Sequence, residues 1–356
     1  MSHHVIAVVW GTRPEAIKLG PCVAELRAAN VPLTLLCTGQ HTDLLKGTPA
    51  ETDLLGSKSL GLKSSGDVMR WTRIAERQLR FMLTELAPDL VVVQGDTMSA
   101  VAGARAAALC KIPVAHVEAG VRSHCASEPW PEEGFRVEIA QLADWHYAPT
   151  ERCLANLMRE DVPRAQIVVT GNPGISAIAR YTRAVPVPQA QTPTILITLH
   201  RRELLKSPDC DAVFKAVGDT ADCYPALRFL WPLHPAIKKS IQGPPNLRIV
   251  PPLDYCTCVT GLPLVVGVLT DSGGLQEEAA TLGVPCSVLR RVTDRPESVE
   301  AGVAQVFPPT VEGTKRAIQA LATESIPRKA VPVFGDTLSA SRIARHLASL
   351  TMKVAA

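Results

Sequence analysis

Short apolar runs and longer stretches of helical periodicity alternate along the chain. The runs at residues 5–10, 31–37, 90–94, 114–117, 145–148 and 167–169 read as buried strands. Between them, residues 15–29, 67–86, 98–110 and 134–144 read as helices, with Pro14 suited to the first turn of the first one. Residues 44–68 lack clear periodicity before that second helix, and 121–133 read as a polar loop. A Pro-, Ala- and Gln-rich segment at 182–193 reads as a linker or long surface loop. A second series of strands follows at 194–198, 227–231, 247–250, 264–269 and 286–289, with a helix at 274–282 and an amphipathic one at 337–349. Strands alternating with helices predict parallel sheets, so the fold expected is α/β in two Rossmann-like halves.

A length of 356 residues exceeds what one core usually supports, which also points to two domains. The expected division is 1–172, with a C-terminal helix at about 337–356 returning to it, and 173–336. A net charge of +3 and 4% aromatic residues argue against nucleic acid and membrane partners, while leaving room for a phosphorylated small molecule held by local cations. No apolar run is long enough to span a bilayer. The start, Met1-Ser2-His3-His4, shows neither a basic leader region nor a cleavage site, so no secretory leader is expected. The ten cysteines form no CxxC pair; reduced thiols in a cytoplasmic protein are expected, and no metal site.

In open parallel sheets ligands gather at the carboxyl ends of the strands. Those ends carry Arg13 to Lys18, Gln40-His41, Asp96-Thr97 and Glu118 in the first half, and His200-Arg201-Arg202-Glu203, His234 and Asp271-Ser272-Gly273-Gly274 in the second. The two glycines before a helix suit a diphosphate on free N–H groups, although an ordinary strand-to-helix turn fits too. Glu278, one turn further, suits ribose hydroxyls or simply a helix surface. Arg13 and Lys18 suit phosphate or a solvated helix end. Asp96, Glu118 and Glu132 suit paired acid and base work, with Asp96 equally placed to cap the following helix. His200 suits phosphate contact, acid–base work or a structural role.

Read together and in order, these blocks resemble the non-hydrolysing UDP-N-acetylglucosamine 2-epimerases. The resemblance runs from about residue 5 to 305. It is carried by Gly11-Thr12-Arg13-Pro14-Glu15-Ala16-Ile17-Lys18, Thr38-Gly39-Gln40-His41, Gly95-Asp96-Thr97 and His116-Val117-Glu118-Ala119-Gly120. Further blocks are Pro129-Trp130-Pro131-Glu132-Glu133, Val169-Thr170-Gly171-Asn172 and His200-Arg201-Arg202-Glu203. The longest is Leu269-Thr270-Asp271-Ser272-Gly273-Gly274-Leu275-Gln276-Glu277-Glu278, with Arg295-Pro296-Glu297 after it. The resemblance implies the glycosyltransferase-B architecture with the ligand cleft between the two domains, a homodimer and no cofactor; no GxGxxG fingerprint follows the first strand. It implies that Arg13, Lys18, Arg136, His234, Ser272, Gly273, Gly274 and Arg295 bind the UDP sugar, with Glu278 on the ribose. Asp96, Glu118 and Glu132, with His200, would carry anti elimination of UDP and its re-addition through 2-acetamidoglucal; base and acid are not assigned among them. Gln40 and His41 lie where bacterial members bind an activating second substrate.

The sequence departs from the family at several points. Phe135 stands where the family has Asn, Ser176 where it has Asp, and Arg290-Arg291-Val292-Thr293 where it has Arg-Asp-Thr-Thr. Ser123-His124-Cys125 replaces a typical Thr-Gly, and His234-Pro235 lacks the family's Asn. These leave open a C2 epimerase of a modified UDP-N-acetylhexosamine, and a non-catalytic UDP-sugar binder. A hydrolysing epimerase and a glycosyltransferase are further alternatives, disfavoured by the Thr12-to-Glu15 block and by the carboxylate trio. Asp43 and Lys63-Ser64-Ser65-Gly66-Asp67 lack the residues expected for allosteric activation, so weak or absent activation is expected.

Overall fold

The computed structural model describes residues 5–40, 48–63, 66–183, 192–235, 237 and 241–353. The chain forms two compact units, one of Met1–Tyr181 with Gly335–Ala356 and one of Thr182–Phe334. The first break comes after Tyr181, not after Asn172, for a local reason. Asp53 accepts hydrogen bonds from Arg180 Nε (2.7 Å), Arg180 Nη2 (2.6 Å) and Tyr181 Oη (2.7 Å), which ties the helix Pro173–Thr182 to the first unit.

The first unit contains β1 (Ile6–Trp10), β2 (Leu33–Cys37), β3 (Lys58–Ser59), β4 (Leu90–Gln94), β5 (Val114–Val117), β6 (Trp145–Ala148) and β7 (Ile167–Val169). They form one parallel sheet in the order β3-β2-β1-β4-β5-β6-β7. Helices cover both faces of such a sheet, so β1, β4 and β5 are buried throughout and show no polar alternation. The Ala-rich helix Met98–Leu109 lies close on the sheet, with Ala100, Ala102, Ala104, Ala106 and Ala107 wholly buried. The helix Ser339–Lys353 packs against Arg13–Ala28, and Tyr147 Oη lies 3.0 Å from His346 Nδ1.

The second unit contains β8 (Thr194–Thr198), β9 (Arg228–Pro232), β10 (Leu247–Val250), β11 (Gly267–Thr270), β12 (Cys286–Leu289) and β13 (Ala304–Phe307). Its sheet is parallel in the order β10-β9-β8-β11-β12-β13. The strand expected from residue 264 begins only at Gly267, because Pro263 sits in a 3-10 turn over Leu262–Leu264. The stretch expected to be irregular holds the helix Pro49–Asp53 and the short edge strand β3. Residues 184–191 of the expected linker lie outside the described residues.

Each sheet has one place where strand order reverses, between β1 and β4 in the first unit and between β8 and β11 in the second. The connections leave opposite faces there, and the strand ends open into a crevice. Among the described residues, no helix is long and apolar enough to cross a membrane.

Candidate active site

At the first reversal, Gly11 leaves β1 and Thr12 caps the helix Arg13–Ala28. A Cβ on Gly11 would overlap the hydroxyls of Thr38 and Ser99, so the turn admits no side chain there. Glu15 completes a capping box, the reciprocal arrangement in which the cap and the third helical residue satisfy each other's N–H groups. Its Oε2 accepts from Gly11 N (3.0 Å), Thr12 N (2.8 Å) and Thr12 Oγ1 (2.7 Å). Its Oε1 accepts from Thr97 Oγ1 (2.7 Å), across the reversal point at the end of β4. Burial raises the Glu15 carboxyl to about 7 against those four donors.

Thr97 also caps the helix Met98–Leu109, accepting from Ala100 N. Asp96 is therefore not that helix's cap. Its Oδ2 instead receives Arg136 Nε (2.7 Å) and Nη2 (2.6 Å). Arg136 is buried, and its Nη1 donates to Glu133 Oε2 at 3.0 Å. Glu133 in turn accepts from the backbone N–H groups of Ser123 and His124, closing the loop after β5 onto the helix Glu132–Leu142. Glu132 opens that helix.

One strand over, Glu118 follows β5 with φ at +68°, a left-handed conformation costly for a residue with a Cβ. The conformation puts its Oε2 2.5 Å from both Lys18 Nζ and Gln94 Nε2. The His116 ring, buried beneath, meets Gly95 O through Nε2 at 2.8 Å, and burial lowers its pKa to about 3, so it is neutral and structural. The first unit thus joins Lys18 to Glu118 and Asp96 to Arg136 at one edge of one sheet.

At the second reversal, Asp271 follows the end of β11, and Ser272 caps the helix Gly273–Leu282, accepting from Leu275 N. A Cβ on Gly273 would lie 3.6 Å from Arg201 Nη2 and from Arg295 Nη2, so two guanidinium groups flank the helix N-terminus. Buried Arg295 is held by Glu277 Oε1 and by Asp294 Oδ2 at 3.3 Å, and Asp294 is held by Arg290 at 2.8 Å. Asp271 Oδ2 accepts from the backbone N–H of His200 (2.7 Å) and Arg201 (2.8 Å). The His200 ring stacks on that of His234, centroids 5.0 Å apart. Helix N–H groups with two guanidiniums beside them form a receptor for an anion with several oxygens, such as a diphosphate.

The family model for UDP-N-acetylglucosamine 2-epimerase matches residues 24–348. The chain belongs to this family. A UDP-N-acetylglucosamine 2-epimerase of Neisseria meningitidis serogroup A is 35% identical over 322 residues, covering 85% of this chain and 86% of that one. A crystal structure of the N. meningitidis enzyme bound to UDP-GlcNAc superposes with a TM-score of 0.87 at 31% identity, over 97% of this chain and 100% of that one. The Methanocaldococcus jannaschii enzyme in complex with UDP-GlcNAc and UDP gives a TM-score of 0.87 at 29% identity, over 97% and 99%. The two Rossmann-like halves are those of the glycosyltransferase-B-like epimerases.

Two departures from the epimerase family point into the fold. Phe135 is buried in the core among residues of the helices Val68–Leu86 and Met98–Leu109. Ser176 Oγ donates to Thr337 O (2.9 Å) and accepts from Ala340 N (3.0 Å), joining the helix Pro173–Thr182 to the start of the C-terminal helix. Gln40 is buried, its Oε1 accepting from Ser99 Oγ at 2.8 Å; His41 lies outside the described residues. Glu278 is half-buried, one position beyond the Glu277 that holds Arg295. Sequence reasoning placed Arg201 and Asp271 in the strand-end clusters without giving either its own role, and it missed Glu15, Gln94, Glu133 and Glu277 as working groups. Of those four, Glu15 carried a readable signal, the spacing Thr12-x-x-Glu15 of a capping box.

Proposed function

We propose that this enzyme interconverts UDP-N-acetylglucosamine and UDP-N-acetylmannosamine without hydrolysis. The observation that carries the reading is the paired state of the carboxylates in the first unit, Glu118 with Lys18 and Gln94, and Asp96 with Arg136. The C2 proton of the sugar is not adjacent to a carbonyl, so direct deprotonation is too demanding. Departure of UDP from C1 solves this. A base takes the C2 proton, its bonding pair forms C1=C2, and the C1–O pair leaves with UDP. In the return step a UDP oxygen adds to C1 while a proton is delivered to the opposite face of C2. Asp96, Glu118 and Glu132 supply the base and the acid. Arg13, Lys18 and Arg136 supply positive charge in the first unit. In the second, the N–H groups at Ser272, Gly273 and Gly274, with Arg201 and Arg295, hold the diphosphate, Glu278 meets the ribose, and His200 and His234 complete the phosphate contacts.

The inward placement of Phe135 and Ser176 favours the unmodified N-acetyl sugar, since neither substitution need reshape a ligand site. Proton NMR of UDP-N-acetylglucosamine with the enzyme in D2O tests the reading. Deuterium at C2 together with UDP-N-acetylmannosamine signals is expected. Free N-acetylmannosamine as the sole product would make the enzyme hydrolytic, and UDP binding without exchange would make it a silent binder. The reading includes a homodimer in the cytoplasm. Ile74 and Phe81, two turns apart on the helix Val68–Leu86, are 41% and 69% exposed, and sedimentation at a monomer mass would exclude the dimer.

A further inference from the structure

β8 and β11 are paired with Thr198 opposite Thr270, and the chain beyond each carries His200 and Asp271. Because Ser272 is the helix cap, the Asp271 carboxylate is not consumed by its own helix and turns across to the end of β8. It is almost wholly buried, its side chain 1% exposed. Oδ2 takes both backbone N–H groups, from His200 and Arg201. Oδ1, also buried, lies 3.3 Å from His200 Nδ1 without the alignment of a good hydrogen bond. A carboxylate oxygen buried without a donor keeps its full desolvation cost, so the ring closing on it by a small rotation is favoured. Catalytic hydrogen bonds are often long in the ligand-free state and tighten with ligand bound. His234, stacked on the face of the His200 ring with an interplanar angle of 21°, holds the plane in which that closure occurs.

We propose that Asp271 is a positioning residue that fixes His200 as the Nδ1–H tautomer, leaving Nε2 as the nitrogen that works on the nucleotide sugar. The two nitrogens are distinct, and the partner of one decides the state of the other. Since Oδ1 can only accept, Nδ1 must carry the proton, and Nε2 of the one-third-exposed ring keeps its lone pair until it is protonated. The inference rests on the reading of His200 as a nucleotide-sugar contact, but the tautomer is observable without any substrate.

The test is a long-range 1H–15N spectrum of the imidazoles in the full-length protein, at a pH where His200 is neutral, with His200→Gln identifying the signal. The wild type is expected to show a protonated Nδ1 and a pyridine-like Nε2. Asp271→Asn is expected to invert this. Its amide oxygen keeps the two backbone N–H groups and its NH2 then faces Nδ1, so the proton moves to Nε2. A wild-type His200 carrying its proton on Nε2, or a tautomer unchanged in Asp271→Asn, would overturn the proposal. Should Asp271→Asn not fold, the wild-type spectrum alone decides. Failure of the C2 exchange experiment with a protonated Nδ1 would sink the epimerase reading and leave the Asp271–His200 pairing standing.

Discussion

Lys18 Nζ and Glu118 Oε2 meet at 2.5 Å across the point where the first sheet reverses its strand order. The contact joins the second turn of the helix Arg13–Ala28 to a residue held at φ +68° after β5. Backbone strain persists where surrounding contacts over-determine it, and here the two contacts on one oxygen, Lys18 and Gln94, supply that restraint. An ammonium on a carboxylate at the strand edge places charge where an elimination needs it. Glu118→Gln keeps the shape and removes the charge. It should lower kcat by about 10²–10⁴-fold, the usual worth of a general acid or base, while UDP binding measured by calorimetry is unchanged. A kcat within a few-fold of wild type would remove Glu118 from the chemistry.

Arg136 makes a second prediction, about stability. It is 4% exposed and lies between Asp96 and Glu133, and Glu133 is itself 5% exposed and holds the loop at Ser123 and His124. Removing one member of a buried charged set costs roughly 3–5 kcal/mol because the other is left uncompensated. Arg136→Met should therefore lower Tm by roughly 6–20 °C, and turnover should fall as well because Asp96 loses its orienting partner. A variant as heat-stable as the wild type would mean that Glu133 is held well enough by its backbone donors alone.

Glu15 predicts a pH dependence. Burial raises its carboxyl from an ordinary 4.5 to about 7 in the folded protein. Between these values the folded state binds more protons than the unfolded one, so the stability contributed by this group is complete below pH 4.5 and is lost as pH rises towards 7. The full difference is about 3 kcal/mol as an order of magnitude. Glu15→Gln cannot titrate and keeps an oxygen for Gly11 and Thr12. Relative to the wild type it should gain stability from pH 4.5 to about 7 in chemical denaturation and level off above that. Parallel stability curves for the two proteins across that range would refute the shift.

Much of the fold was legible because both sheets are parallel and covered. Their strands read as apolar runs, so β4, β5, β6 and β7 begin and end at the residues the pattern indicates. The strand-end rule then selected the charged clusters. What the pattern could not supply was the pairing across distance. Arg136 reaches Asp96 from 40 residues away, and nothing in either neighbourhood announces it. Nor could spacing decide whether Asp96 or Thr97 caps the next helix; both residue types cap well, and Thr97 takes the role. Phe135 and Ser176 looked like changes to a sugar pocket because sequence position alone does not show which side of a helix faces the core. Phe135 packs among buried alanines and leucines, and Ser176 fastens the C-terminal helix.

The last prediction concerns regulation. A second substrate molecule bound at Gln40 would need the amide to engage it. That side chain is 8% exposed, and its Oε1 already accepts from Ser99 Oγ, which also pairs with Thr38 Oγ1 at 2.8 Å. Recruiting Gln40 would break this buried chain, and a buried polar group stripped of its partner costs roughly 1–3 kcal/mol, as much as a typical allosteric coupling energy of about 1–3 kcal/mol. Coupling of that size would be largely cancelled. Initial rates against UDP-N-acetylglucosamine should therefore follow a hyperbola with a Hill coefficient of about 1, and Gln40→Ala should leave that shape unchanged. Clear sigmoidality in the wild type, abolished in Gln40→Ala, would show that the buried arrangement opens to admit an activator.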